Sequence, residues 1–279
     1  MLGAMVRRRI RPRPLVERRN DLGGVLMIRR CFVGLILVAG LGLLLPSAVL
    51  GQAPKTKARP KKPAVRSSTT TPVPRNDKWW MDRHEAMNAR VKQGNADLLF
   101  IGDSITQGWE GAGKDVWKEF YGNRNAVNLG IGGDQTQHVL WRLEHGNLEG
   151  ISPKLAVVMI GTNNAAGYPP EEIAAGIEAI VKTLRAKTPQ TKILLLGIFP
   201  RGATPEDRLR QVNEKTNAIA AKLADGKQVV YLDIGKAFLQ PDGTLTKEIM
   251  PDLLHLSPKG YRLWAEAIEP EVAKVLGKK

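Results

Sequence analysis

Three residue types whose combination activates a hydroxyl occur in this chain at positions that could bring them together. Ser104 follows the apolar run 96–101 through Gly102-Asp103, so its hydroxyl falls where a buried strand gives way to a turn. A serine is a poor nucleophile at neutral pH unless a base takes its proton and a third group orients that base. Asp252-Leu253-Leu254-His255, near the other end, offers both: a spacing of three lets the carboxylate hold one ring nitrogen of His255 while the other faces outward. Taken singly, Gly-Asp-Ser is a common turn and Asp-x-x-His a common helix entrance, here just ahead of a good helix start at Ser257-Pro258. What lifts them is the company they keep.

Two further segments lie between them. Asn128-Leu129-Gly130-Ile131-Gly132-Gly133-Asp134 is glycine-dense enough to expose backbone N–H groups, and Gly161-Thr162-Asn163-Asn164 follows the apolar run 155–160. Acyl transfer passes through a tetrahedral oxyanion, and loss of one fixed donor to it costs about 3 to 4 kcal/mol of transition-state stabilisation. The N–H groups of Ser104 and Gly133 and the side-chain amide of Asn163 are the expected donors. All four segments fall at or beyond the carboxyl ends of expected strands, where an open parallel sheet places its binding crevice.

The four blocks together, Gly102-Asp103-Ser104, Gly132-Gly133-Asp134, Gly161-Thr162-Asn163-Asn164 and Asp252-Leu253-Leu254-His255, resemble those of the SGNH (GDSL) hydrolases. Within that superfamily the stretch NLGIGGDQTQHVLWRL (128–143), together with IGTNN, GIEAIV, residues 196–202 and DLLHLSPKGY, is similar to the catalytic subunits of the platelet-activating-factor acetylhydrolase Ib group. The similarity runs from Ala96 to Leu276. It implies Ser104 as nucleophile, His255 as general base and then acid, Asp252 as its orienter, and Ser104, Gly133 and Asn163 as the oxyanion hole. Asp103 would hold the turn and is not the triad acid. Asn164 stands where many family members carry aspartate, a departure shared with the acetylhydrolase-like group. The resemblance also implies a five-stranded parallel sheet in flavodoxin-like order inside an α/β/α sandwich, a preference for acetyl esters, and a homodimer by analogy.

The elements that must position these residues are legible as alternation. Apolar runs near 96–101, 126–129, 155–160, 192–198 and 228–232 read as buried strands. Between them lie amphipathic stretches, notably Ile173, Ile177, Ile180, Val181 and Leu184, then Leu209, Val212, Thr216, Ile219 and Leu223. Repeated βα units lead to a parallel sheet covered on both faces. A last helix is expected from Ser257-Pro258, bent or ended by Pro270.

Charge divides the 279 residues. Residues 1–76 hold 16 of the 42 basic and 2 of the 27 acidic side chains, leaving 26 basic and 25 acidic in the rest, so +14 of the excess of +15 sits in the arm and gives no reason to expect a nucleic-acid partner. Residues 1–26 are an arginine-rich extension without apolar periodicity, or lie ahead of a true start at Met27. Met27 to Ala53 reads as an export leader, with a short positive start, an apolar core from Phe32 to Leu45 and small residues after Pro46. The twenty uncharged residues 31–50 are also long enough for a membrane anchor, although the break at Pro46-Ser47 favours cleavage. Arg29-Arg30 leaves the twin-arginine and general routes both open. Residues 54–76 have the composition of a solvated linker and 77–279 form the catalytic domain, which would be periplasmic or secreted, or tethered through 31–50. The single cysteine, Cys31, lies in the leader.

No cofactor or metal is expected. Gln135 stands where the third glycine of a dinucleotide fingerprint belongs, and His84, His138 and His145 lack ligand spacing and read as structural or solvent-facing. Trp109, five residues past the nucleophile, is the aromatic most suited to touch substrate, with core packing the stronger expectation. The function expected is an exported serine esterase acting on short, chiefly acetyl esters, a carbohydrate O-deacetylase among them. A lysophospholipase or thioesterase, and a non-catalytic carbohydrate-binding module on the same fold, are the competing readings.

Overall fold

The structure, a computed structural model, describes residues 68–278. The leader, the anchor reading of 31–50, the proposed start and most of the basic arm lie outside them. Five parallel strands form one sheet in the order β2-β1-β3-β4-β5: β1 (Leu98–Gly102), β2 (Ala126–Gly130), β3 (Leu155–Met159), β4 (Lys192–Leu196) and β5 (Val229–Leu232). β1 and β3 are buried along their whole length, as strands covered on both faces must be.

The period of two sorts each strand between two cores. Leu99, Ile101, Ala156, Val158, Ile193 and Leu195 point to one face. There they meet α1 (Lys78–Lys92), α4 (Thr136–Glu144), α5 (Pro170–Lys187) and the end of α6 (Arg208–Ala220). Leu98, Phe100, Leu155, Val157, Leu194 and Leu196 point to the other, against α3 (Lys114–Tyr121) and α7 (Pro258–Leu276). The result is the expected three-layer α/β/α sandwich. A short α2 (Ser104–Gln107) follows β1 directly.

Register does the positioning. Gly102 pairs with Gly130 on one side and Met159 on the other, so β1, β2 and β3 end at one level. The turns that follow them, carrying Ser104, Gly133 and Asn163, therefore open side by side where the strand order reverses.

Three expectations need correction. Residues 68–76 are not solvated linker: Thr69 Oγ1 donates to the Glu172 carbonyl at 2.6 Å, Thr136 Oγ1 donates to the Thr69 carbonyl at 2.9 Å, and Val73 N–H donates to the Gln137 carbonyl. Their polar composition resembles a linker because their attachment is by hydrogen bonds rather than apolar burial. Of the two outcomes expected of Pro270, bending or ending α7, the ending does not occur: the helix continues to Leu276 with the proline inside it and exposed. In α6 the buried face is Arg210, Asn213, Thr216, Asn217 and Ala220, whereas Leu209, Val212, Ile219 and Leu223 are half-buried. Chain leaving β4 explains the polar face, because buried irregular backbone needs partners. Asn217 accepts from Ile198 N–H and donates to the Ile198 carbonyl, and Asn213 donates to the Phe199 carbonyl.

Candidate active site

The turn after β1 is tight because a Cβ at Gly102 would overlap Thr106 Oγ1 and the Met159 carbonyl. Asp103, fully buried, caps α2 by accepting from Ile105 N–H at 3.0 Å, the holding role expected of it. Burial pushes its carboxyl up to about 7, helped by Asp134 and opposed by the Ile105 N–H and His255. Ser104 then begins the first turn, where helical N–H groups lack intrahelical acceptors.

His255 is brought to it from 151 residues away: Nε2 and Ser104 Oγ are 2.8 Å apart, and Nδ1 and Asp252 Oδ2 are 2.6 Å apart. A carboxylate only accepts, so Nδ1 carries the proton and Nε2 is left to accept from the serine hydroxyl. Asp252 also accepts from the N–H groups of Leu254 and His255 through Oδ1, with Leu253 between them at φ +61°. Burial pushes the Asp252 carboxyl up, but the His255 ring and these two N–H groups outweigh it and hold the carboxyl below its ordinary value. Ser257 starts α7 by accepting from Gly260 N–H, and Tyr261 Oη on that helix donates to the Ile105 carbonyl at 2.6 Å. The histidine loop is thus tied to the serine turn by a tyrosine that spacing alone did not single out.

The turns after β2 and β3 lie beside the serine turn on its other side. Gly132 N–H donates to Gln107 Oε1 at 2.7 Å, and a Cβ on Gly132 would lie 3.7 Å from that of Ser104. Gly133 sits at φ +77°, a conformation that favours glycine, and its N–H has no acceptor among the described residues. Asn163 Nδ2 donates to the Asp134 carbonyl at 2.9 Å, which uses one of its two hydrogens and leaves the other. Asn164 is fully buried; its Oδ1 accepts from Thr136 N–H and its Nδ2 donates to Gln137 Oε1, so the departure from the common aspartate ties this loop to the start of α4.

Beneath these turns lies a group that motif reading missed. Asp134 and Arg142 form an ion pair at 2.9 Å with both side chains fully buried. Trp80 Nε1 donates to Asp134 Oδ1 at 2.6 Å, and Arg142 donates to Asn147 Oδ1 at 2.7 Å and to the Gly102 carbonyl at 3.3 Å. Burial pushes the aspartate up and the arginine down, each opposed by the other. The i, i+8 spacing on a strand-to-helix turn was the available signal.

The histidines outside the site are structural. His84 is buried against Trp80, its centroid 5.8 Å away, and burial followed by Arg142 lowers its pKa to about 4. His138 Nδ1 accepts from Gln135 N–H in a capping box, and burial with Arg75 and Arg142 also lowers it to about 4. The neutral ring makes its 3.9 Å approach to Asp134 no ion pair. His145 stacks on Trp141 at 4.0 Å. Trp109 packs in the core against Tyr261 and Trp264. A cavity of about 720 Å³ between α1, α3 and β2 contains none of Ser104, Gly133, Asn163 and His255. Among the described residues no cluster of His, Cys, Asp and Glu could hold a metal ion, and no helix is long and apolar enough to cross a membrane.

The model of the GDSL-like lipase/acylhydrolase family matches residues 100–263, more than half of the chain. The chain belongs to this family. It is 39% identical over 213 residues to the platelet-activating factor acetylhydrolase IB subunit alpha1 of Bos taurus, a match that covers 75% of this chain and 90% of the relative. The family's fold is shared with a GDSL-like lipase from Bacteroides thetaiotaomicron at TM-score 0.56 and 22% identity, over 70% of this chain and 98% of the other. It is shared also with an acetylxylan esterase from Geobacillus stearothermophilus, at TM-score 0.51 and 21% identity over 65% and 94%. This GDSL-like acylhydrolase is accordingly a carboxylic ester hydrolase.

Proposed function

We propose that the chain is an exported serine esterase that removes short acyl groups, acetyl foremost, from carbohydrate esters by a two-step acyl-enzyme route. The observation that carries the reading is the continuous relay from Ser104 Oγ to His255 Nε2 at 2.8 Å and from Nδ1 to Asp252 at 2.6 Å. His255 takes the hydroxyl proton as Ser104 attacks the ester carbonyl. The N–H groups of Ser104 and Gly133 and the free hydrogen of Asn163 hold the oxygen that becomes negative. As the carbonyl re-forms, the bond to the alcohol breaks and His255 gives the alkoxide its proton, leaving an ester on Ser104. Water, deprotonated by the same imidazole, then releases the carboxylic acid and restores the serine.

The acetyl preference rests on relatives named acetylhydrolases. The exposed base and acid, with 44% and 56% of their side-chain surface open, suit an acyl group presented on a larger carrier. Carbohydrate esters follow from the export leader read in the sequence. Wild-type protein and Ser104→Ala are to be compared on nitrophenyl acetate. Hydrolysis by the wild type alone is expected, and equal rates overturn the esterase. A series from acetyl to octanoyl should fall in kcat/KM with chain length; a maximum at long chains would replace the deacetylase with a lipid acylhydrolase. Acetylated sugars are expected to outcompete acetylated glycerophospholipids, and the reverse order overturns the carbohydrate assignment.

A further inference from the structure

Ile131 to Asp134 form a four-residue turn closed by Asp134 N–H donating to the Ile131 carbonyl at 3.2 Å. Positive φ at the third position, Gly133, is the mark of a type II turn. The central peptide of such a turn joins its second and third residues, here Gly132 and Gly133. Flipping that peptide converts type II to type I, and with glycine at both positions no side chain opposes the flip. The flip decides chemistry: carbonyl and N–H of a trans peptide point to opposite sides, so the alternative turn would present the Gly132 oxygen where the Gly133 N–H now stands. A negative dipole end beside a developing oxyanion is repulsive.

One side chain holds the central carbonyl. Arg75 Nη1 donates to the Gly132 oxygen at 2.8 Å. The guanidinium is itself anchored, since Nε and Nη2 donate to Asp77 Oδ2 at 3.1 and 2.9 Å and its carbon lies 5.0 Å from the centroid of Trp79. On the other side Gln107, in the serine's own helix, accepts from Gly132 N–H.

We propose that Arg75 is a positioning residue that selects the turn conformation in which the Gly133 N–H is available to the oxyanion. The proposal rests on the Ser104 esterase reading. It assigns work at the reaction centre to the segment 68–77, which carries no catalytic motif.

The test uses the full chain as wild type, Ser104→Ala, Arg75→Ala and Arg75→Lys, with nitrophenyl acetate turnover expressed per mole of protein for Ser104→Ala against wild type and, for the chains that keep Ser104, per active site titrated by an acylating burst. Arg75→Ala is expected to lower kcat per titrated site by about 10- to 100-fold, short of the 10²- to 10³-fold for outright loss of a donor, with KM within twofold. Arg75→Lys, which can still donate to the carbonyl, should recover part of the loss. The inhibition constant of phenylboronic acid, which forms a tetrahedral anion on the serine, should rise by the same factor as kcat/KM falls. A merely structural role would lower the titrated fraction and leave turnover per site unchanged. If the wild type exceeds Ser104→Ala but Arg75→Ala matches the wild type per site, the role of Arg75 is overturned and the esterase stands. If wild type and Ser104→Ala are equal, the esterase reading has failed, and the positioning role with it.

Discussion

On one side of Ser104 the turns that carry Gly133 and Asn163 rest on Asp134, Arg142 and Asn147, none of which is exposed at all. On the other side His255 and Asp252 keep about half of their side-chain surface in solvent and are held by a local loop, an Asp252 carboxylate gathering two backbone N–H groups, and the Tyr261 tie. Under the proposed mechanism the difference follows from what each side would do. Oxyanion donors work by being fixed before charge appears, and a water-excluded network fixes them without reorganisation. The base must exchange protons with serine, leaving group and water, and an exposed imidazole has that access. The buried side should therefore fail through stability, and the exposed side through chemistry alone.

The largest effect expected is at the exposed side. His255→Ala should lower kcat on nitrophenyl acetate by on the order of 10⁶-fold while unfolding free energy moves by no more than about 0.5 kcal/mol, as for surface changes. A large loss of stability would break the contrast. On the buried side Arg142→Met strands the Asp134 carboxylate and should cost about 3 to 5 kcal/mol, read as a lower urea midpoint. Adding Asp134→Asn to it should restore part of that loss, because no charge is then left unpaired. Asn163→Ala stands between the two regimes: it removes one oxyanion donor and one bond to the Asp134 carbonyl. A fall of about 10² to 10³ in kcat is expected, with a smaller change in folding. Equal kcat would remove Asn163 from the oxyanion hole.

The smallest effect is pH-linked and belongs to the buried side. His84 titrates near 4 when folded and at its ordinary 6.5 when unfolded, so between these values the unfolded chain binds the extra proton. Its contribution is complete above about 6.5 and is lost as pH falls toward 4, on the order of 2 kcal/mol by pH 5. Asp103, pushed up to about 7, acts in the opposite direction over much of the same range. The informative quantity is therefore the difference between wild type and His84→Gln in urea midpoints at pH 7 and 5. The variant should lose less on acidification, and parallel curves would show that the ring does not stay neutral.

Much of the site was legible because each motif follows a strand or precedes a helix and so carries local chemistry. Ser104, His255 and Asp252 are joined by hydrogen bonds, the turns of Gly133 and Asn163 open from neighbouring strand ends beside them, and the strand pattern located the sheet to within a few residues. The support beneath was not legible. Arg142 reads as a charged position on an amphipathic helix, Asn213 and Asn217 as the polar face of α6, and Arg75 as one basic residue in a basic arm. Each is decided by a partner distant in sequence: the Gly102 carbonyl for Arg142, the chain leaving β4 for the two asparagines, the Gly132 carbonyl for Arg75. Composition misled at residues 68–76 for the same reason, since hydrogen bonds to backbone leave no apolar pattern.

By itself the sequence determined the candidate reacting groups, the order in which the chain visits them and the alternating elements between, because periodicity, turn chemistry and motif spacing are properties of neighbouring residues. Tertiary structure alone decided that Gly102, Gly130 and Met159 end at one level, that His255 stands 2.8 Å from Ser104, and that the Gly132–Gly133 peptide turns its N–H away from Arg75. These depend on strand register and on buried partners remote along the chain, and no local pattern encodes a distance between segments that only packing brings together.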